Sequence, residues 1–367
     1  MFAALIILAT LAVGYFNGAN DVSKSIATLV GSGVTRYRTA VLWGGVWTFV
    51  GAETAAWASR GLVAAFSGKG VLAAQAAGEP LLLATALGAL GWIWLATRGG
   101  LPVSTTHALT GALVGAGVAA FGWSGINGGF LLAKFALPLV VGPVLATALV
   151  WVAFPLLHRT LVRWQGYCVC VQKPQLVACG EGVACVSPAP PALVTGASED
   201  CGRTPAIVAN LTLADGLHWL SAGATAFARG LNDAPKVLGL GIAAAMLLSI
   251  PIPVAFTAVA AAMTAGSLLR GLRVTETLAQ KVTRMDPLEG LTANLVTAGL
   301  VVFASHLALP VSTTHVSTGA IIGLGLKQDA RRIQWKTVRE LGLAWILTLP
   351  FAALVAALSY WLLRQAA

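Results

Sequence analysis

The run Gly18-Ala19-Asn20-Asp21-Val22-Ser23-Lys24 returns as Gly230-Leu231-Asn232-Asp233-Ala234-Pro235-Lys236, an offset of 212 residues. Pro102-Val103-Ser104-Thr105-Thr106-His107 returns letter for letter as Pro310-Val311-Ser312-Thr313-Thr314-His315, an offset of 208. Two independent motif pairs at nearly one offset mark an internal duplication. The halves are expected at 1–157 and 212–367. The stretch 158–211 between them, rich in Pro, Gly, Cys and Ser, reads as a linker.

The halves are membrane material. The chain is 57% hydrophobic and 10% charged, whereas soluble domains carry about a quarter charged residues. A helical span needs about 20 apolar residues, and the runs Val41–Ala58, Leu81–Leu95, Leu131–Leu157, Val254–Leu269, Leu291–Phe303 and Leu341–Leu363 supply whole or broken spans. Met1 to Tyr15 is apolar without the basic start and cleavage site of a secretory signal, so it reads as a retained first span.

The net charge of +10 does not call for nucleic acid, because basic residues in membrane proteins collect in cytoplasmic loops. With about five crossings per half and the amino terminus outside, Arg36, Arg38, Arg98, Arg159, Arg163, Lys173, Arg203, Arg270, Arg273, Lys281, Arg284, Lys327, Arg331, Arg332, Lys336 and Arg339 are cytoplasmic. Only Arg60, Lys69 and Arg364 are outside, and Lys24, Lys134, Arg229 and Lys236 lie at membrane depth. This predicts a multi-pass protein of the cell membrane with both termini outside and a cytoplasmic central loop. The loop holds all five cysteines, Cys168, Cys170, Cys179, Cys185 and Cys201. In a reducing compartment they are expected as thiols, and their spacing is not a recognised zinc pattern.

An odd number of crossings per half makes the repeats inverted, an architecture whose substrate site lies where the halves meet. The expected fold is an all-α integral membrane protein of about ten crossings with broken or re-entrant helices. Gly14 to Gly18 and Arg229-Gly230 are the expected interruptions, because polar backbone at that depth must face protein or a wet cavity.

Each Pro-Val-Ser-Thr-Thr-His run opens an apolar helix. It therefore offers free backbone N–H groups together with three hydroxyls, a natural seat for a tetrahedral oxyanion. An isolated cluster of this kind is an ordinary cap, but its exact repetition favours an anion site built from Ser104, Thr105, Thr106, Ser312, Thr313 and Thr314. Asp21 and Asp233 are functional candidates because carboxylates are costly in lipid. Each has a lysine, Lys24 or Lys236, three residues on along the same helical face. Asn17, Asn20 and Asn232 add carbonyl oxygens suited to a small cation or to phosphate hydroxyls. Glu53 is a further pathway candidate, with burial beside Arg60 as the alternative. His107 and His315 are candidate proton carriers or capped, locally bonded side chains.

These doubled motifs, with the run from Arg270-Gly271-Leu272-Arg273 to Asp286-Pro287-Leu288-Glu289-Gly290, resemble the PiT family of inorganic phosphate transporters. The resemblance covers nearly all of the chain outside the linker. It implies a duplicated inverted fold, a homodimer in the lipid bilayer, and symport of phosphate with sodium or protons without any bound cofactor. It also implies that Asp21, Asn20, Asp233 and Asn232 coordinate cation and phosphate, and that the six hydroxyl residues contact phosphate. The chain departs from the family at Lys24 and Ile93, where asparagine is common, and at Asn294, where glutamate is common. These changes remove cation ligands and add charge, which weakens the case for sodium more than the case for an oxyanion. Sulfate is the alternative cargo, but it has no hydroxyl to donate to Asp21 or Asp233. That discrimination softens if each lysine neutralises its aspartate. A passive anion channel and a membrane-embedded hydrolase are remoter readings, and the duplicated cluster argues against the hydrolase.

Overall fold

The computed structural model describes residues 1–72, 78–164, 166–172, 176–178, 184–186, 192–197, 207–283 and 285–366. Six of its helical stretches, Phe2–Gly31, Glu79–Arg98, Gly128–Leu161, Ile252–Arg270, Pro287–His306 and Trp335–Gln365, are long and apolar enough to cross a membrane. Helix α1 (Phe2–Asp21) continues as α2 (Ser23–Gly31) after an irregularity at Val22, followed by α3 (Tyr37–Ala58), α4 (Arg60–Phe66), α5 (Glu79–Arg98) and α6 (Thr105–Phe121). A short helix α7 (Gly128–Leu131) runs through a π-turn into α8 (Leu137–Leu161). After the linker come α9 (Leu213–Leu247), α10 (Ile252–Arg270), α11 (Leu272–Gln280), α12 (Pro287–His306), α13 (Thr313–Gln328) and α14 (Trp335–Ala366).

The spacing of the motifs carries over to the elements. α5 and α12 are both 20 residues long and begin 208 apart, as do α6 and α13, while α4 and α11 begin 212 apart. Packing follows the same exchange: α1 lies on α10 and α5, and α9 lies on α3 and α12.

Two expectations about the helices need correction. α1 runs unbroken through Gly14 to Gly18, and α9 runs unbroken through Arg229-Gly230, with Pro235 inside it. The glycines serve close helix approach instead. A Cβ on Gly18 would lie 1.8 Å from the Met263 carbonyl oxygen, and one on Gly230 would lie 2.2 Å from that of Thr48. Any larger residue would push α10 off α1 or α3 off α9. A one-residue irregularity falls four residues later, at Val22, whose backbone stays helical and whose N–H still donates to the Gly18 carbonyl. By contrast α6 and α13, with 17 and 16 residues, are shorter than the ~20 a span requires.

The linker is not bare loop, so the chain is not wholly helical. Strands β1 (Tyr167–Gln172), β4 (Ala192–Ala197) and β5 (Ile207–Thr212) form an antiparallel sheet ordered β4-β1-β5, beside a β2 (Leu176–Ala178) and β3 (Ala184–Val186) hairpin. Alternate residues of a strand share a face, which brings the Sγ atoms of Cys168 and Cys170 to 2.9 Å. Both cysteines are disulfide-bonded, against the expectation of thiols. Cys179 and Cys201 lie outside the described residues.

Candidate functional site

The two hydroxyl motifs meet face to face. Ser104 and Ser312 are the N-caps of α6 and α13, accepting from the backbone N–H of His107 and His315 at 3.1 and 3.2 Å. Their hydroxyls also bond the histidine Nδ1 atoms at 2.9 and 2.7 Å. Both serines therefore do the ordinary work of a cap, which leaves the N–H groups of the first two residues of each helix without intrahelical acceptors. Thr106 donates to the Val311 carbonyl at 3.0 Å while Thr314 donates to that of Val103 at 2.7 Å, a reciprocal exchange between the motifs. The His107 and His315 rings stack at 4.5 Å with 12° between their planes. Two helix N-termini, each a partial positive charge, are thus held against one another.

The Asn-Asp motifs close around them. Asn17, Asn20, Asp21, Lys24, Arg229, Asn232, Asp233 and Lys236 are each no more than 1% exposed. Asn17 Nδ2 spans the halves, donating to Thr105 Oγ1 at 3.0 Å, Asp21 Oδ2 at 3.2 Å and Asp233 Oδ2 at 3.3 Å. Its Oδ1 has no partner. Asn20 Oδ1 accepts from the Val103 N–H at 3.0 Å, and Asn20 Nδ2 donates to Thr97 Oγ1 and the Leu101 carbonyl. In the second half Asn232 Nδ2 donates to the Val311 carbonyl, and Ser305, the residue 208 after Thr97, donates to Asn232 Oδ1.

Each lysine sits in a cage of oxygens. Lys24 Nζ lies on Asp21 Oδ1, on Asn20 Oδ1 at 2.9 Å, on the Asn20 carbonyl at 3.1 Å and near the Val103 carbonyl at 3.4 Å. Lys236 Nζ bonds Thr106 Oγ1 and the Val311 carbonyl, both at 2.8 Å, and Asp233 Oδ1 at 3.1 Å. These ligand sets, carboxylate with amide, carbonyl or hydroxyl oxygen, are also what a small hard cation selects.

A third buried cation, Arg229, was placed at membrane depth by the sequence but not among the site residues. Arg229 touches Thr48 and Ser267 through Nη2, its Nε and Nη1 have no partner, and it interacts electrostatically with both Asp21 and Asp233. The signal was the repeat itself, since the 212 offset pairs Arg229 with Asn17, the residue that bridges the halves. With each side chain in its ordinary charge state, Lys24, Lys236 and Arg229 against Asp21 and Asp233 would give this buried cluster one positive charge in excess, which a bound anion would offset.

Glu53 does not join the cluster. It is half-buried on α3 with Oε1 unpartnered, and among the described residues no hydrogen bond or ion pair links it to the aspartates or lysines. The side chain of Arg60 lies outside the described residues.

The chain matches known proteins along nearly all of its length. Residues 17–356 match the family described as PHO4, phosphate transporter family. The chain belongs to the phosphate transporter family. A probable low-affinity inorganic phosphate transporter of Rhizobium meliloti is 30% identical over 97% of this chain and 94% of its own. One of Mycobacterium bovis is 29% identical over 99% and 78%. A solved structure titled the sodium-dependent phosphate transporter shares the fold, with a TM-score of 0.79, 23% identity and 99% of both chains covered. The family and these relatives are transporters, not enzymes, and this family member is a multi-pass membrane protein.

Proposed function

We propose that this transporter imports inorganic phosphate across the cell membrane by cation-coupled secondary transport, alternating access between two inverted repeats, 1–157 and 212–367, joined by the 158–211 linker. The cargo sits between the N-termini of α6 and α13, held by Thr105, Thr106, Thr313, Thr314 and their first-turn N–H groups. Asp21 and Asp233 accept from the phosphate hydroxyl. The observation that carries this reading is the reciprocal bonding of Thr106 and Thr314 across the two motifs, with a surplus of buried positive charge around it.

The oxygen cages of Lys24 and Lys236 bear on coupling. An ammonium stands where a sodium ion would be bound, so the charge that sodium brings to such a site is built in, and a lysine, unlike sodium, can exchange a proton. Uptake is then expected without sodium and with a response to a proton gradient. Ile93 is buried on α5, one turn from Thr97, which touches Asn20. Lys24→Asn with Ile93→Asn would therefore rebuild a cation site and make uptake sodium-responsive. Uptake into proteoliposomes tests both, and accumulation against a phosphate gradient excludes a passive channel. Sulfate accumulating in place of phosphate would reassign the cargo.

A further inference from the structure

The duplication makes two equivalent seams, one on each side of the buried cluster, and their chemistry differs. On the linker side, α9, α2 and α12 meet through His218, Ser221 and Thr225, Thr28, and Asn294, all buried. At the same offsets on the opposite side stand Ile6, Ala9 and Val13, Leu240, and Ala86, all members of one apolar core. Thr10 and Thr85 are the polar residues beside that second seam. Thr85 bonds its own helix, and Thr10 is unpartnered against Gly241.

The linker-side seam is knit across helices. Asn294 Nδ2 donates to Thr28 Oγ1 at 2.8 Å, and Thr225 Oγ1 donates to the Asn294 carbonyl at 2.9 Å. It begins one turn from the cluster, since Thr28 follows Lys24 by four residues and Thr225 precedes Arg229 by four. It ends about 10 Å further along α9 at His218, five residues after the first residue of that helix. His218 is fully buried, yet neither ring nitrogen has a partner. The ring fits only because residue 290 is glycine, where a Cβ would lie 2.4 Å from His218 Cε1. An imidazole with two unmet nitrogens is costly where it stands and is relieved as soon as water or an anion reaches it. The apolar seam gains nothing comparable on opening.

We propose that this polar seam is the path by which the tetrahedral anion leaves on the linker side, with His218 as the gate that holds it shut and then offers its nitrogens to the passing anion. The proposal rests on the phosphate-transport reading above, and its test is separate from it, because thiol labelling reads water access and not cargo. Ser221→Cys and Ala9→Cys are a repeat-related pair of small substitutions. Each is introduced into the full chain with its native cysteines, reconstituted in vesicles of defined orientation, exposed to an anionic methanethiosulfonate and quantified by mass spectrometry of the labelled peptide. Ser221→Cys is expected to label from the linker side about ten-fold faster than Ala9→Cys labels from the opposite side. Equal rates, or Ser221→Cys labelling only from the opposite side, would overturn the proposal. Thr225→Cys against Val13→Cys is read in the same way. His218→Ile, which installs the repeat counterpart, should lower the uptake rate about ten-fold with phosphate affinity unchanged. An unchanged uptake rate would count against the gate.

Discussion

Replacing Lys236 by methionine keeps most of the apolar stem and deletes the ammonium. That ammonium spends its three N–H bonds on Thr106 Oγ1, the Val311 carbonyl and Asp233 Oδ1, all that a lysine has. The variant leaves Asp233 buried with only amide donors, from Asn232 at 2.9 Å and Asn17 at 3.3 Å. Breaking a buried ion pair from one side costs about 3–5 kcal/mol, so a large loss of thermal stability in detergent is expected. The cluster's surplus charge also falls from one to zero. Removing one unit of charge from beside the anion, taken as the worth of one charge-assisted contact of about 1.5–3 kcal/mol, corresponds to phosphate binding weaker by ~10- to 150-fold. Combining Lys236→Met with Asp233→Asn leaves Lys24 and Arg229 against Asp21, restoring the surplus of one. The double variant should recover most of the stability but not the phosphate affinity, because it also lacks the Asp233 carboxylate that accepts from the phosphate hydroxyl; thermal unfolding and equilibrium binding of labelled phosphate read the two separately. A single variant as stable and as tight-binding as the parent, or a double variant no more stable than the single, would refute the charge reasoning.

Thr105→Val together with Thr313→Val deletes two donors at the motif interface, and phosphate affinity should fall by at least ~10-fold, while the Thr→Ser pair changes it little; affinity measured by competition binding decides. Glu53→Gln should leave phosphate affinity unchanged in the same assay, because no contact among the described residues joins Glu53 to the cluster. Gly230→Leu should prevent a folded, monodisperse protein in size-exclusion chromatography, since the new side chain would enter the backbone of α3. Tags at either terminus should be reached from outside intact cells, and the linker only after permeabilisation; termini on opposite sides would remove the inverted repeat.

Much of the fold was legible because a duplicated sequence states its own symmetry. The offsets of the two motif pairs recur in the starts of α4 and α11, of α5 and α12, and of α6 and α13. The Asp21–Lys24 and Asp233–Lys236 pairs were legible from three-residue spacing and are ion pairs in the structure. Glycine was misread: in lipid it serves close packing as readily as interruption, and only tertiary contacts tell Gly18 and Gly230 from helix breakers. Ser104 and Ser312 are ordinary caps in the structure, so within this motif the cap reading holds for the serines, and the proposed anion contacts fall to the threonines. The depth of Arg229 and its repeat match to Asn17 were legible, but its place beside both aspartates depends on what α3 and α10 set around it; the linker sheet was out of reach, because it rests on pairing between short, distant strands.

The central claim is that a buried, duplicated anion site carries its own cations in Lys24, Lys236 and Arg229. Its most direct measurement is the initial rate of labelled phosphate uptake into proteoliposomes with sodium and proton gradients imposed separately. The account predicts uptake that persists in the absence of sodium and rises with an inward proton gradient. Uptake that requires sodium and ignores the proton gradient would contradict it.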